Sequence, residues 1–156
     1  MDTASLSELK KELQTIPQKV LIEHLLRVSK YKKENKELLS YLLFESHDEQ
    51  GFISSVQQLM DTAFDEINDS NSYLAKKSVR KILRTVTKYI KYSGKKETEI
   101  ELLIHFCRRL KEYDLVQYRN IVLLNIYDRQ LSKIGKSILT LHEDLQYDYQ
   151  QMLAEL

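Results

Sequence analysis

Three groups of side chains in this sequence are of types suited to chemistry, and two of them fail on spacing. The first is Glu101, His105 and Cys107. Helical di-metal sites use Glu-x-x-His, which projects both ligands from one face. Here Glu101 and His105 stand four apart, and the motif has no second copy. His105 and Cys107 are two apart, so on a helix their side chains diverge by roughly 200°. The group reads as a core cysteine beside a surface or hydrogen-bonded histidine, and no metal is expected. His24, His47 and His142 have no partner at ligand spacing. The second group, Ile134-Gly-Lys-Ser137, resembles the end of a phosphate-binding loop. That motif needs a glycine five residues before Gly135, where the chain has Gln130, and it needs a preceding strand. No dinucleotide-binding glycine motif, zincin signature or nucleophile elbow is present. Carboxylates are plentiful, but a general acid–base pair is defined by a pocket rather than by sequence. The expectation is a protein that is not an enzyme and carries no cofactor.

The third group is a run of cations. The stretch Asn71 to Gly94 reads NSYLAKKSVRKILRTVTKYIKYSG, and between Tyr73 and Lys96 there are nine Lys or Arg and no acid. On a helix drawn at ~100° per residue, Ala75, Val79, Ile82, Leu83, Val86, Tyr89 and Ile90 share one face. Lys76, Lys77, Arg80, Lys81, Arg84, Lys88 and Lys91 fall within an arc of ~140° opposite. Lys76–Arg80, Lys77–Lys81, Arg80–Arg84 and Arg84–Lys88 are like-charge pairs one turn apart, each unfavourable by a few tenths of a kcal/mol. Packing, or an anionic partner, must offset that repulsion. The expected contact residues are Lys77, Arg80, Lys81, Arg84, Lys88 and Lys91, presented to an acidic protein surface by a non-catalytic interaction or scaffold module. Nonspecific nucleic-acid binding through the same helix is the alternative. It is disfavoured by a net charge of +1 and by Tyr92 as the only aromatic clearly bordering the patch. An anionic membrane is disfavoured because the helix needs its apolar face for the core.

The elements that must position these residues are helices. One Pro and three Gly in 156 residues is too little punctuation for sheets joined by tight turns. With 42% hydrophobic and 30% charged residues, the composition is globular. The length suits one domain with a real core. The single cysteine and the lack of an apolar leader point to a reducing, cytoplasmic setting. No apolar run approaches the roughly 18 residues of a membrane span. Charge is segregated: residues 37–75 carry eight acids and residues 137–156 four, with no Lys or Arg in either.

Along the chain, Ser5-Leu-Ser-Glu8 has capping-box form, followed by Leu6, Leu9 and Leu13. Thr15-Ile-Pro17-Gln18 starts a second helix with Val20, Leu21, His24, Leu25 and Val28 inward, and Leu38, Leu39, Leu42 and Leu43 mark a third, to about Phe44. Ser46-His-Asp-Glu49 is read as another capping box before Phe52, Ile53, Val56, Leu59, Met60, Ala63 and Ile67. The far side of that helix carries Asp61, Asp65 and Asp69, and a flanking pair of Glu66 with Lys76 is allowed. Asp69-Ser-Asn-Ser breaks the chain, the basic helix follows, and Gly94 is placed to end it. Ile100, Leu103, Phe106, Cys107, Leu110 and Tyr113 define a sixth helix, and Asp114 caps the next. Leu124, Tyr127, Leu131, Ile134, Ile138, Leu141, Leu145 and Met152 then form a heptad-like seam that offers self-association through 124–152 or simply core. A continuous helix over 115–154 would be ~60 Å long, so a bend near Gly135 with a restart at the capping box Thr140-Leu-His-Glu143 is preferred.

Residues 6–43, with the turn Lys33-Glu-Asn-Lys-Glu37, resemble the opening of certain small, uncharacterised bacterial helical proteins. The resemblance implies an all-helical fold and a bacterial source, and carries no site residues. The expected architecture is all-α: seven to eight antiparallel helices in an irregular bundle or short α-α solenoid. A single domain over 1–156 comprises a three-helix segment (1–45), an acidic/basic hairpin (46–94) and C-terminal helices (96–156).

Overall fold

The protein is all-α in a computed structural model that describes residues 2–67, 71–112 and 120–156. It divides into two compact units, Met1–Phe44 and Glu45–Leu156.

The first unit holds α1 (Leu6–Thr15), α2 (Gln18–Tyr31) and α3 (Lys33–Ser40). Ser5 starts α1 with a reciprocal cap: its Oγ accepts from the Glu8 N–H, and the Glu8 carboxylate accepts from the Ser5 N–H at 2.7 Å. Those hydrogen bonds hold the Glu8 carboxyl below its usual range. Pro17 stands just before α2, where its missing N–H is not required. The chain breaks at Lys32, where extended backbone separates α2 from α3. Lys33–Glu37, expected as a turn, is therefore helical. A π-helical turn, Tyr41–Glu45, closes the segment and buries Tyr41. No residue of α1, α2 or α3 is buried. The inner face expected on α2 is only half-covered at Val20 and Leu21, and His24, Leu25 and Val28 are exposed. So short a unit has too little chain to cover its own apolar stripes.

The second unit is a bundle around α6. It comprises α4 (Glu49–Asp65), α5 (Ser72–Ser93), α6 (Lys96–Glu112), α7 (Ile121–Ile138) and α8 (Glu143–Ala154). α6 packs against all four others. It buries Leu102 and Ile104 as well as Ile100, Leu103, Phe106, Cys107 and Leu110, the all-round burial of a central helix. That arrangement favours a bundle over a solenoid. Phe64 of α4 meets Phe106 with ring centroids 5.7 Å apart, and Phe52 meets Tyr89 of α5 edge-on at 6.1 Å. Leu59, expected inward, is exposed.

The helix ends revise several expectations. α4 is capped by Asp48, whose side chain accepts from the Gly51 N–H at 3.0 Å, and not by Ser46. Asn71 caps α5, and Gly94 ends it in the left-handed region at φ 68°. α7 is capped by Asn120; Asp69, Tyr113 and Asp114 lie outside the described residues. The chain bends after Ile138 rather than near Gly135, so α7 and α8 are separate helices. α8 is capped by His142. Thr140, expected as that cap, instead donates to the Ser137 carbonyl at 2.7 Å. Thr140 stands two residues before the observed cap, outside the position from which a side chain serves the first free N–H groups of α8.

Carboxylates pin the outer helices to α6. The Glu49 carboxylate on α4 accepts from Ser93 and Thr98 and lies 2.9 Å from Lys95 Nζ. Glu99, almost fully buried, bonds Lys96 at 2.8 Å, Lys133 of α7 at 2.7 Å and Ser137 of α7 at 2.9 Å. Tyr149 of α8 donates to Glu101 at 2.9 Å.

Candidate functional site

α5 exists because its inner face is continuous. Ala75, Val79, Ile82, Val86 and Ile90 are buried at three- and four-residue steps and commit that side of the cylinder to the core. Everything at the opposite phase must face outward. Lys77, Arg80, Lys81, Arg84 and Lys91 are exposed, and Lys76 and Lys88 are half-buried.

This outer face is one wall of a groove of about 1060 Å³ between α5 and α7. From α5 the lining is Tyr73, Lys76, Lys77, Arg80, Leu83, Arg84, Thr87, Lys88 and Lys91; from α7 it is Val122, Asn125, Ile126 and Arg129. Lys77 to Lys91 spans ~21 Å along the axis at 1.5 Å per residue. Leu83, Val122 and Ile126 add apolar surface, and no carboxylate lines the groove among the described residues.

Five of the six cations expected from sequence (Lys77, Arg80, Arg84, Lys88 and Lys91) lie in this groove. Lys81 does not. It borders a smaller cavity of about 240 Å³ on the α4 side of α5, with Leu59, Glu66 and Thr85. Counting ~100° per residue from Lys77, Lys81 sits at the extreme of the arc toward α4, and the rest lean toward α7. Arg129 was missed. It closes the stripe Val122, Ile126, Arg129 at helical spacing. That stripe was masked by the neighbouring Leu124, Tyr127, Leu131 seam. The seam is only partly core: Tyr127, Ile134 and Ile138 are buried, Leu124, Leu131 and Leu141 half-buried, and Leu145 exposed.

Asp61 and Asp65 of α4 are engaged by side chains of α6. Asp61 lies 2.7 Å from His105 Nε2 and 3.0 Å from Arg109 Nε. Asp65 lies 2.7 Å from Arg109 Nη2, and Glu112 meets Nη1 at 2.7 Å. The described part of the acidic stripe, Asp61 and Asp65, is thus paired with α6. Among the described residues, no carboxylate comes within 4.0 Å of Lys76, Lys77, Arg80, Lys81, Arg84 or Lys91, and the allowed Glu66–Lys76 pair does not form. Lys88 lies over the Tyr89 ring at 4.9 Å from its centroid and over Tyr92 at 5.9 Å, a cation–π contact that steadies it.

The other chemically capable residues do not converge. Among the described residues, no three His, Cys, Asp or Glu side chains gather as a metal site. His105 faces Asp61, Glu101 serves Tyr149, and Cys107 is fully buried, with burial pushing its thiol up to about 12. Ile134-Gly-Lys-Ser137 is interior helix, its serine bonded to Glu99. Burial alone would raise the Glu99 carboxyl, but hydrogen bonds from Lys133, Lys96 and Ser137 outweigh it and hold the group at about 2. No helix among the described residues is long and apolar enough to cross a membrane. Comparison with protein-family models, with curated proteins and with solved structures finds no match to the chain.

Proposed function

We propose that this protein is a non-catalytic docking module, in a cytoplasmic setting, that takes an acidic segment of a partner protein into the α5–α7 groove. The observation that carries the reading is the lining itself: Lys76, Lys77, Arg80, Arg84, Lys88, Lys91 and Arg129 converge on one concave surface with no carboxylate among its described residues. An acidic ligand relieves the like-charge repulsion along α5 and gains a steered approach. The apolar surface of Leu83, Val122 and Ile126 discriminates between polyanions. It suits an amphipathic peptide, whose other flank is aliphatic. Nucleic acid would be better served by aromatic stacking platforms, and among the described residues only Tyr73 supplies one in the groove.

The test is fluorescence anisotropy with an acidic amphipathic peptide, a sequence-scrambled control of the same charge, and a labelled duplex DNA, each across a salt series. The acidic amphipathic peptide is expected to bind most tightly and to weaken as salt rises. Replacing Arg80 and Arg84 together by Glu should weaken it by about tenfold or more, roughly 1.4 kcal/mol, without unfolding a face that is already exposed. Tighter binding of the duplex than of the peptide would decide for nucleic acid, and no binding at low salt would remove the groove as a docking site.

A further inference from the structure

We propose that a second copy of this chain supplies the groove's occupant, through the outer face of its α8. This rests on the reading of the groove as a docking site for an acidic helix, and it names that helix.

Two observations carry it. The first is charge. Residues 137–156 contain Glu143, Asp144, Asp148 and Glu155 and no Lys or Arg. α8 turns Tyr149 inward, where it is buried and bonded to Glu101. At ~100° per residue, Asp144, Asp148, Gln151 and Glu155 then share an arc of ~60°, and all four are exposed. Tyr147, 65% exposed, flanks that arc. It offers an aromatic surface to the apolar part of the groove.

The second observation is register. The acids step by four and then seven residues, Asp144 to Asp148 to Glu155. Read in reverse, the groove cations step identically, Lys88 to Arg84 to Lys77. Both helices rise ~1.5 Å per residue, so an antiparallel α8 sets Asp144 against Lys88, Asp148 against Arg84 and Glu155 against Lys77. The same orientation brings the positive end of the α8 dipole beside the negative end of α5. Within its own copy Glu155 lies 3.2 Å from Arg108, and Asp144 lies 3.4 Å from His142, all four side chains being at least 40% exposed. Giving up pairs this exposed is therefore inexpensive.

The test is sedimentation velocity on the full chain over a wide concentration range, at low and at high salt. Mass is expected to rise with concentration at low salt and to fall back at high salt. A groove variant (R84E with K88E) and an α8 variant (D144K with D148K) should each stay monomeric with unchanged helical circular dichroism. Their equimolar mixture should associate, because the reversed groove of one meets the reversed α8 of the other. A monomeric wild-type chain at every concentration at low salt overturns the proposal, as does a mixture that fails to associate. Binding of the acidic peptide to the α8 variant, whose groove is intact, is the separate check. If it persists when self-association fails, the docking reading stands and only the second copy is lost; if it too is absent, the docking reading falls.

Discussion

At the scale of single residues, Glu99 carries the clearest pH signature. Its folded pKa of about 2 lies below the ordinary 4.5, so the unfolded chain binds the proton first. The stabilisation is present in full above about 4.5 and is lost as pH falls toward 2. Thermal unfolding followed across that window should show the wild type losing stability more steeply than Glu99→Gln. The variant should be the less stable at neutral pH, where Lys96 and Lys133 lose their carboxylate, and the gap should close in acid. Parallel pH profiles would contradict the assignment. None of this was legible in sequence, because Lys133 and Ser137 lie 34 and 38 positions beyond Glu99 and only the packing of α7 on α6 brings them there. The α5 cations were legible, because their phase relative to Val79, Ile82 and Val86 follows from helical geometry alone. Arg129 was not, because it depends on which face of α7 turns toward α5.

At the scale of elements, the helix ends separate what local rules decide from what they leave open. Ser5 and Gly94 behave as their types require: a hydroxyl with a glutamate three residues on, and a residue free to adopt positive φ. At Ser46-His-Asp-Glu49 and Thr140-Leu-His-Glu143 the same signature was misread. Asp48 and His142, each two positions later, offered acceptors nearer the helix start. Gly94 allows a direct check. A Cβ added there meets nothing within 4 Å, so Gly94→Ala adds no clash and isolates the cost of placing a side chain at φ 68°. The expected loss is about 1 kcal/mol, or ~3 °C in midpoint for a chain of this size. An unchanged midpoint would mean that the α5–α6 turn relaxes. α6 shows the limit of periodicity. Periodicity sets Ile100, Leu103, Phe106, Cys107, Leu110 and Tyr113 along it, yet Leu102 and Ile104, outside that set, are also fully buried, because four neighbours surround the helix.

At the scale of the whole molecule, the all-helical class and the α7–α8 bend were readable from sparse Gly and Pro and from the length an unbroken helix would need. The division at 44/45 was not, since apolar spacing looks alike whether a stripe is covered or left bare. The enclosure of Cys107 within α6 has a practical corollary for the second unit. Alkylating reagents attack the thiolate, and here the only thiol in the chain is both sealed and held near 12. In native buffer, iodoacetamide should therefore modify the protein only as fast as its core opens, and unfolding in denaturant should release the reaction at once. Fast labelling of a chain that keeps its full circular dichroism would contradict this. The cysteine thus serves as an intrinsic stopwatch. A ligand that binds only the folded form slows it by mass action, so candidate partners can be screened without attaching any dye.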